Sequence, residues 1–542
     1  MLFSALFGGW CCAYAQTENP VIAAIQKEVD RNRAELKMEG LATPFFISYS
    51  ILDRYDYNLS ASLGTLSSVN ENHNRRGLPW ILVGDYFRNT ANVAAARTFY
   101  PTTTSLSDNE TGIPITIWRG LDDMYKDAAE RYKAKMATLQ QQTQTKEDED
   151  LPDFEQVPPV NMILQPVQMN VDKKYWENYV RKASETAKQY PDILNSNLSF
   201  VERNVTTYTY NTEGSCYVVP CTFYQLRFTA NIRAADGQDL GFTIWVENAT
   251  FEQMPDLATF SNQCKTTMED LLKLKNAPVI DDAYSGPVLF EGEGAKDIFR
   301  RVLLSTNKLY AASKMINPFS QGQGQSGGND FELMLNKKVI ARSITVKSIT
   351  GQEFYKGQRL NGYYPIDSEG VVPDKELTLI ENGVLRNMLN GRKPTKKIQH
   401  SNGHVRYDFN TNQWQVMPGN ILIASNQTFS KEELRKKLLD AAKEEDLEYA
   451  YIVKRYSGAN LIYKIYVAGG REELVRGAMI SDEASLKPFK RILGASNSDV
   501  MTSFNELQTT LICPDAVLVE EMDITRVPNI DFKKPYIVSK PN

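Results

Sequence analysis

Apolar residues recur along the chain with two periods, one typical of helices and one typical of strands. Helical spacing of apolar residues predicts helices over residues 20–38, 121–139, 173–190, 254–274 and 295–304. The sequence Ser430-Lys431-Glu432-Glu433 matches a capping box, which predicts the start of a further helix that runs to about Glu445. Alternating or short apolar runs predict strands, and the clearest lie at 45–66, 81–86, 198–202, 206–211, 223–232, 240–246, 287–290, 376–380 and 384–389.

The order of these elements predicts the α+β class, with an N-terminal α/β sandwich-like region and a β-rich C-terminal domain. Residues 140–159 are acidic and then proline-rich, which is typical of a linker. We therefore expect a leader at 1–15, an N-terminal α+β domain at 16–139, this linker, a middle α+β domain at 160–277 and the C-terminal domain at 278–542.

Composition excludes several classes of protein. The 542 residues are 42% apolar and 23% charged, as in globular proteins. The 61 basic and 66 acidic residues give a net charge of −5, which excludes a protein that binds nucleic acid through a generally basic surface. No apolar run is long enough for a transmembrane helix. Only 3 histidines are present, which leaves little room for His-rich metal sites.

The first residues are typical of an export signal. Residues 1–10 are apolar, and Ala13-Tyr14-Ala15 matches a cleavage site for signal peptidase. Cleavage after Ala15 would leave Gln16 as the mature N-terminus. We therefore expect an exported, periplasmic protein in an oxidising compartment.

The mature chain would keep four cysteines, Cys216, Cys221, Cys264 and Cys513. Cys216 and Cys221 flank Tyr217-Val218-Val219-Pro220, and they either close a hairpin disulfide or remain two unpaired thiols, because spacing does not determine the geometry of the Cβ atoms. No second cysteine pair or histidine lies near enough in sequence to suggest a zinc site.

Two local patterns could carry chemistry. The stretch Gly324-Gln325-Ser326-Gly327-Gly328 matches the string of a nucleophile elbow, but no apolar strand precedes it, so we interpret it as a loop. His400 and His404 lie in a basic stretch that includes Arg406. This stretch is either a loop that holds an anion, such as a peptide carboxylate, or a metal, or it is a solvated basic loop.

Several longer stretches resemble a known family. They are Gly286 to Gly292, Ile366-Asp367-Ser368-Glu369-Gly370, Leu379 to Leu385, Ser401-Asn402-Gly403-His404, Gly470 to Gly477 and Pro514 to Met522, with further matches at Tyr49 to Asp53, Val83 to Tyr86, Leu151 to Phe154 and Asn211 to Gly214. Together they are similar to the exported branch of the TldD/PmbA family of metallopeptidase-related proteins, and the resemblance covers nearly the whole mature chain.

The resemblance implies a two-part α+β architecture and dimers that form around a cavity. It also implies that the ligands are unfolded or extended peptides, which bind along the edge of a strand. In the metal-bearing partner of the family, an H-E-x-x-x-H helix and a later Cys hold zinc, and the Glu activates water. The family was once linked to DNA gyrase, a role that an exported protein would not share.

This sequence departs from the family at the zinc motif. In the corresponding helix, Arg300 and Ser305 stand where the two His ligands would be, and Arg301 stands where the Glu would be. A guanidinium group cannot ligate zinc or act as the general base. Cys513 lies too far towards the C-terminus to be the family's ligand Cys. The chain therefore resembles the PmbA side, the subunit that lacks the metal motif, and no cofactor is expected.

Two hypotheses follow. The first is a non-catalytic subunit that binds peptides, with Asn402, His404 and Arg406 as candidate contacts, and forms a homodimer or a heterodimer with a TldD-like subunit. The second is an active peptidase with a non-standard zinc site near His400 and His404. A purely structural envelope protein is a third possibility, and nothing in the sequence supports nucleic acid as a partner.

Overall fold

The computed structural model describes residues 19–93, 101–108, 111–141, 145–167, 171–304, 308–318, 325–408, 411–481, 483, 485–504, 509–528 and 533. The export signal predicted at residues 1–15 lies outside these residues. None of the helices in the described ranges has the length and apolar character needed to cross a membrane.

A long antiparallel hairpin starts the N-terminal sheet. Strands β1 (Pro44–Ser62) and β2 (Thr65–Val83) are joined by Leu63 and Gly64, whose φ angles are 48° and 78°. Positive φ at both turn residues suits the right-handed twist of a hairpin, and glycine adopts it at little cost. The alternation over residues 45–66 thus marks β1 and the turn into β2.

The remaining elements of the N-terminal half build one sheet and its covering helices. In the described ranges this sheet has seven strands in the order β3-β2-β1-β5-β6-β4, and β7 also pairs with β6. The elements are β3 (Thr102–Thr103), β4 (Asn161–Ile163), β5 (Asn195–Asn211), β6 (Cys216–Arg233), β7 (Asp239–Asn248), α1 (Pro20–Glu35), α2 (Gly112–Gln141), α3 (Lys146–Glu149), α4 (Lys173–Glu185) and α5 (Leu257–Lys275).

The sheet crosses the boundary that the sequence predicted between two domains. β1 pairs with β5 without interruption from Ser48↔Asn211 to Ala61↔Leu198. Strands from 16–139 and from 160–277 therefore share one sheet, and the prediction of two separate units is corrected. Two strands predicted at 198–202 and 206–211 are the single strand β5.

The stretch 140–159 is not a solvated spacer over its whole length. Asp153 forms an ion pair with Lys135, whose side chain is fully buried. Phe154 is also fully buried, in a cluster with Phe46 and Leu82. Buried ion pairs and aromatic rings fix a backbone far more firmly than an acidic composition suggests. The second part of the predicted linker therefore packs as part of the fold.

The N-terminal sheet has two different faces. Odd-numbered residues of β1, such as Tyr49 and Leu59, pack under the helices. On the other face, Leu52 packs against Tyr407 and Trp414 from the C-terminal half. This alternation places the sheet between a helical layer and the C-terminal domain.

Over the described residues, the C-terminal half contributes many short strands and two α-helices. They are β8 (Tyr284–Glu291), α6 (Glu293–Leu304), β9 (Lys314–Ile316), β10 (Gln325–Gly327), β11 (Ile344–Ser348), β12 (Phe354–Tyr355), β13 (Gln358–Arg359), β14 (Leu377–Glu381), β15 (Val384–Leu385), β16 (Val405–Asp408), β17 (Gln413–Val416), β18 (Asn420–Ser425), β19 (Thr428–Phe429), α7 (Lys431–Glu444), β20 (Tyr449–Arg455), β21 (Leu461–Tyr466), β22 (Glu472–Val475), β23 (Ala478–Ile480), β24 (Ile492–Ser496), β25 (Asp499–Phe504), β26 (Thr509–Pro514) and β27 (Ala516–Arg526).

Two sheets enclose the C-terminal core. Over the described residues, the larger has eight strands in the order β19-β24-β27-β8-β20-β21-β22 with β23 beside β27, and the smaller has the order β15-β14-β11-β18-β26-β25. The buried face of α6 packs between them, and α7 covers the other face of the larger sheet. The α+β class predicted from the sequence is confirmed.

Two sequence signals can be compared with the local structure. The predicted capping box is present, since Ser430 and Glu433 exchange side-chain to backbone hydrogen bonds at the start of α7. Ser326 lies in β10, opposite Met315 of β9, and not in the strand-turn-helix of a nucleophile elbow.

Candidate functional site

Helix α6 carries the positions that correspond to the zinc motif. Ile298, Phe299 and Val302 are buried in the core between the two C-terminal sheets. Helical periodicity therefore turns Asp297 and Arg300 towards the opposite side. Gly294 lets the helix start close to β20, because a Cβ atom there would lie 2.1 Å from the carbonyl oxygen of Val453.

A groove of about 680 Å³ lies over this side of α6, and we call it the α6 groove. Lys296, Asp297 and Arg300 line it from the helix. Strand β7 of the N-terminal sheet and strand β25 of the smaller C-terminal sheet form two of its walls. Both strands are edge strands of their sheets within the described ranges, so the groove lies between two sheet edges.

The outer edge of β7 is capped at both ends. Near its start, the carbonyl oxygen of Gly241 accepts a hydrogen bond from the amide of Ala459, 3.0 Å away. Near its end, the side chain of Asn361 donates to the carbonyl of Glu247 at 2.8 Å and accepts from the amide of Ala249 at 2.7 Å. These contacts show that the odd-numbered residues of β7 direct their backbone groups away from β6.

The middle of this edge is open. β7 pairs with β6 in an unbroken register, so Thr243 and Trp245 share the outward direction of Gly241 and Glu247. No backbone hydrogen bond to another described residue closes the edge at these two residues. Their N–H and C=O groups therefore form a short window that can pair with an added extended segment.

Arg301 is part of a structural contact. Its Nη1 lies 2.6 Å from Glu483, and its Nη2 donates to the carbonyl of Tyr456 at 3.2 Å. The guanidinium also lies over the Tyr456 ring at 5.0 Å. At the position of the family's water-activating Glu, this chain has a cation held by its neighbours.

Arg300 faces the groove. Its guanidinium lies over the ring of Phe504 at 5.3 Å, and its nearest recorded carboxylate is Asp297 at 3.9 Å. Burial raises the pKa of Asp297. Ser305, the third position of the degenerate motif, lies outside the described residues.

The residues present do not fit the family's zinc ion. Arg300 and Arg301 offer no lone pair to a metal, and Cys513 is fully buried in β26, where burial raises its pKa to about 12. Among the residues that the structure describes, no group of three or more His, Cys, Asp or Glu side chains could hold a metal ion.

His404 is buried and uses both ring nitrogens within the protein. Its Nδ1 lies 2.8 Å from Oδ1 of Asn402, and its Nε2 lies 2.9 Å from Ser348 and 3.2 Å from Thr350. Since the Asn402 oxygen only accepts, Nδ1 carries the proton and Nε2 accepts from a hydroxyl. Burial lowers the pKa of His404 to about 4, so the ring is neutral at pH 7.

His400 occupies a different environment. Its side chain is 84% exposed, and its Nδ1 lies 2.9 Å from Glu155. Within the part of the chain that the structure describes, the two imidazoles share no hydrogen-bond partner. The structure places Asn402 beside His404 and buries the His404 ring with both nitrogens bonded inside the protein, and it does not bring His400 and His404 to one metal site.

Arg406 lines a second cavity, of about 470 Å³, between the N-terminal sheet and the C-terminal domain. Its guanidinium lies over the ring of Tyr364 at 4.8 Å. Asn361 lines this cavity too, and it also caps the β7 edge beside the α6 groove. The cavity and the groove are thus neighbours, separated at Asn361.

A buried charged cluster beside the His loop was missed by the sequence analysis. Arg392 has a fully buried side chain that contacts Glu213 at 2.6 Å and the Phe154 ring at 4.1 Å. Glu369 accepts a hydrogen bond from the Arg392 amide at 2.6 Å. The sequence did contain a signal for this cluster, the two acidic residues of Ile366-Asp367-Ser368-Glu369-Gly370. This stretch resembles the family, but the sequence analysis assigned no role to its acidic residues.

The acidic residues of this cluster organise loops. Asp367 accepts hydrogen bonds from the amides of Glu369, Val371 and Val405 at 2.9, 2.8 and 3.0 Å. Burial raises the pKa of Asp367 to about 7, and burial also raises the pKa of Glu369. Asp367 thus ties the turn at 367–371 to the start of β16.

The disulfide considered for Cys216 and Cys221 does not form. Both residues lie in the single strand β6, where five residues span ~16 Å. A disulfide requires Cα atoms within about 7 Å. The hairpin that would bring the two thiols together is absent here because β6 continues without a turn from Cys216 to Arg233.

Comparisons with known proteins agree with this fold. Residues 284–526 match the family model of the PmbA/TldA metallopeptidase C-terminal domain. No curated protein matches the chain. A solved structure from Thermotoga maritima, described as a candidate modulator of a DNA gyrase, has 15% identity and a TM-score of 0.59, covering 92% of this chain and 100% of that one.

Two further structures share the fold. TldE from Thermococcus kodakarensis has 11% identity and a TM-score of 0.55, over 92% of this chain and 99% of that one. A candidate modulator of DNA gyrase from Bacteroides thetaiotaomicron has 10% identity and a TM-score of 0.56, over 93% and 98%. These structures show that the chain has the TldD/PmbA fold, and the match over residues 284–526 shows that its C-terminal domain belongs to the PmbA/TldA metallopeptidase family.

Proposed function

We propose that this chain is a non-catalytic, peptide-binding member of the TldD/PmbA family. The observation that carries the proposal is the open window of β7 at Thr243 and Trp245, which faces a groove whose helix has Arg300 in place of a zinc ligand. An extended or unfolded peptide would add to this window as a strand. Its backbone would supply the partners that the window lacks.

The proposal includes a place and an assembly. The chain would be exported by cleavage after Ala15 and would act in the periplasm. It would form a homodimer, or a heterodimer with a TldD-like subunit that supplies the zinc chemistry. The support for pairing is the loss of the metal motif, because a subunit without ligands needs a partner to take part in hydrolysis.

The first test uses the mature protein from Gln16. Its zinc content after dialysis against zinc, measured by mass spectrometry, should be well below one ion per chain. Binding of a fluorescein-labelled extended peptide of about eight residues is then measured by fluorescence anisotropy. Two results together would instead favour the alternative of an active peptidase. They are one bound zinc ion per chain and peptide hydrolysis that is lost in His404→Ala.

The second test asks whether binding uses the β7 window. Thr243→Pro removes an outward N–H, which an edge strand tolerates, and should weaken peptide binding about tenfold or more. Thr243→Ala is the matched control, because both variants lose the side-chain contact with Thr229 and only the proline loses the N–H. Equal binding by the two variants would place the peptide elsewhere. Light scattering on the same samples reports the oligomeric state.

A further inference from the structure

Two stacked guanidinium groups line the α6 groove. Arg300 of α6 lies over the ring of Phe504, and Arg455 of β20 lies over the ring of Phe242 at 4.6 Å. Stacking covers one face of a guanidinium group and leaves its N–H edge available for a planar anion. The groove therefore contains two guanidinium groups that can each bind a planar anion.

The protein does not neutralise these cations closely. Arg300 has Asp297 at 3.9 Å, which is too long for a hydrogen bond, and the other oxygen of Asp297 accepts from the amide of Tyr456 at 3.0 Å. The Nη1 of Arg455 is buried and has no hydrogen-bond partner among the described residues. A buried donor without a partner is unfavourable, so the described residues leave part of the hydrogen-bonding capacity of Arg455 unused.

The other charges that line the groove are already paired. Glu293 forms an ion pair with Lys296, and Asp270 contacts Lys273 at 3.1 Å. Neither acid is recorded in an ion pair with Arg300 or Arg455. Among the described residues, Arg300 thus has one loosely placed carboxylate, Asp297 at 3.9 Å, and Arg455 forms no ion pair.

We propose that Arg300 and Arg455 form a carboxylate-binding subsite, so that the α6 groove selects extended peptides that present a carboxylate beside the β7 window. This inference rests on the proposed function, since it assigns the preference of the same peptide groove. The carboxylate could come from an Asp or Glu side chain or from the C-terminus of the peptide. Arginine binds either source through two parallel N–H···O contacts.

The test compares labelled peptides of one length and one neutral sequence. The neutral reference peptide contains one Gln and ends in an amide. The second peptide has Glu in place of that Gln and also ends in an amide. The third keeps the Gln and has a free C-terminal carboxylate. We expect the Glu peptide, the carboxylate peptide or both to bind wild-type protein at least about tenfold more tightly than the neutral amide. The Glu peptide and the free terminus identify the two sources separately.

Protein variants locate the preference. Arg300→Gln and Arg455→Gln should each reduce the preference for the acidic peptide over the neutral one. In the double variant the two affinities should differ by no more than about twofold, and the affinity for the neutral peptide should change little. Arg491→Gln is the control, because Arg491 is 67% exposed and pairs with Glu520 on another part of the surface. A preference that persists in the double variant would overturn the proposal.

The wild-type data alone already decide the proposal if a variant fails to fold. Equal binding of the neutral and acidic peptides would overturn the carboxylate subsite while leaving peptide binding intact. If none of the peptides bound, both the subsite and the proposed function would be wrong. A preference that falls as salt is raised would support a charged contact.

Discussion

The side-chain amide of Asn361 donates a hydrogen bond to the backbone carbonyl of Glu247 at 2.8 Å, and thus ends the free edge of β7. The same side chain donates to the hydroxyl of Ser503 at 2.7 Å and accepts from the amide of Ala249 at 2.7 Å. One side chain therefore joins the edge of the N-terminal sheet to β25 of the C-terminal domain. It also sets where the open window of β7 stops.

Replacing Asn361 by Leu should destabilise the protein. The variant keeps the side-chain size but leaves the Glu247 carbonyl and the Ala249 amide without their partner, which should lower the free energy of unfolding by about 1–3 kcal/mol. Urea denaturation measures this loss. Asn426→Leu is the control, because Asn426 is exposed, and it should change stability by less than about 0.5 kcal/mol. Equal effects of the two substitutions would show that the cap contributes nothing.

Arg392 is a fully buried cation beside the His loop, and its loss should be severe. Arg392→Met leaves the buried carboxylate of Glu213 uncompensated, so we expect a loss of about 3–5 kcal/mol in the free energy of unfolding. The double variant Arg392→Met with Glu213→Gln should recover part of it, because the unpaired charge is removed. A single variant as stable as wild type would contradict the burial of this ion pair.

The sequence predicts local elements of this fold well and non-local ones poorly. The capping box at Ser430 and the helix at 173–190 depend on neighbouring residues, so pattern alone locates them. The pairing of β1 with β5 joins residues separated by the acidic stretch 140–159, and composition carries no information about such a partner. Phe154 is buried against Phe46 and Trp80, which lie far from it in the sequence, and this is why the stretch resembled a linker.

The candidate site divides in the same way. The substitution of Arg300 and Arg301 for metal-motif residues is visible in sequence, because a motif position is local. The window at Thr243 and Trp245 is not visible, because it depends on caps from Ala459 and Asn361, distant residues that only the fold brings to β7.

The low pKa of His404 predicts how stability changes with pH. Its pKa is about 4 in the folded protein and 6.5 in the unfolded chain, so the unfolded state takes up the proton first as the pH falls. This imidazole therefore stabilises the fold fully above pH 6.5 and progressively less towards pH 4, by on the order of 3 kcal/mol in total. Asp367, whose pKa is raised to about 7, has the opposite dependence, since its stabilising contribution is lost as the pH rises.

A variant separates the two groups. The difference in unfolding free energy between wild type and His404→Gln cancels the contribution of Asp367, which titrates in both proteins. This difference should be largest near pH 7 and should shrink as the pH falls towards about 4.5. Urea denaturation across this range measures it. A difference that does not change with pH would mean that His404 is not buried as a neutral ring.

The cysteines test the course of β6. Because the strand runs straight through Cys216 and Cys221, no disulfide should join them even under oxidising conditions. Alkylation of the unreduced, urea-unfolded protein expressed from Gln16 should modify all four of its thiols. Native protein should react first at Cys216 and Cys221, which are partly exposed, while Cys264 and Cys513 are fully buried. Intact-mass and peptide mass spectrometry count and locate the added groups. Two unmodified cysteines in one peptide spanning 216–221 would show that this part of β6 folds back as a hairpin and would overturn its pairing with β5 there.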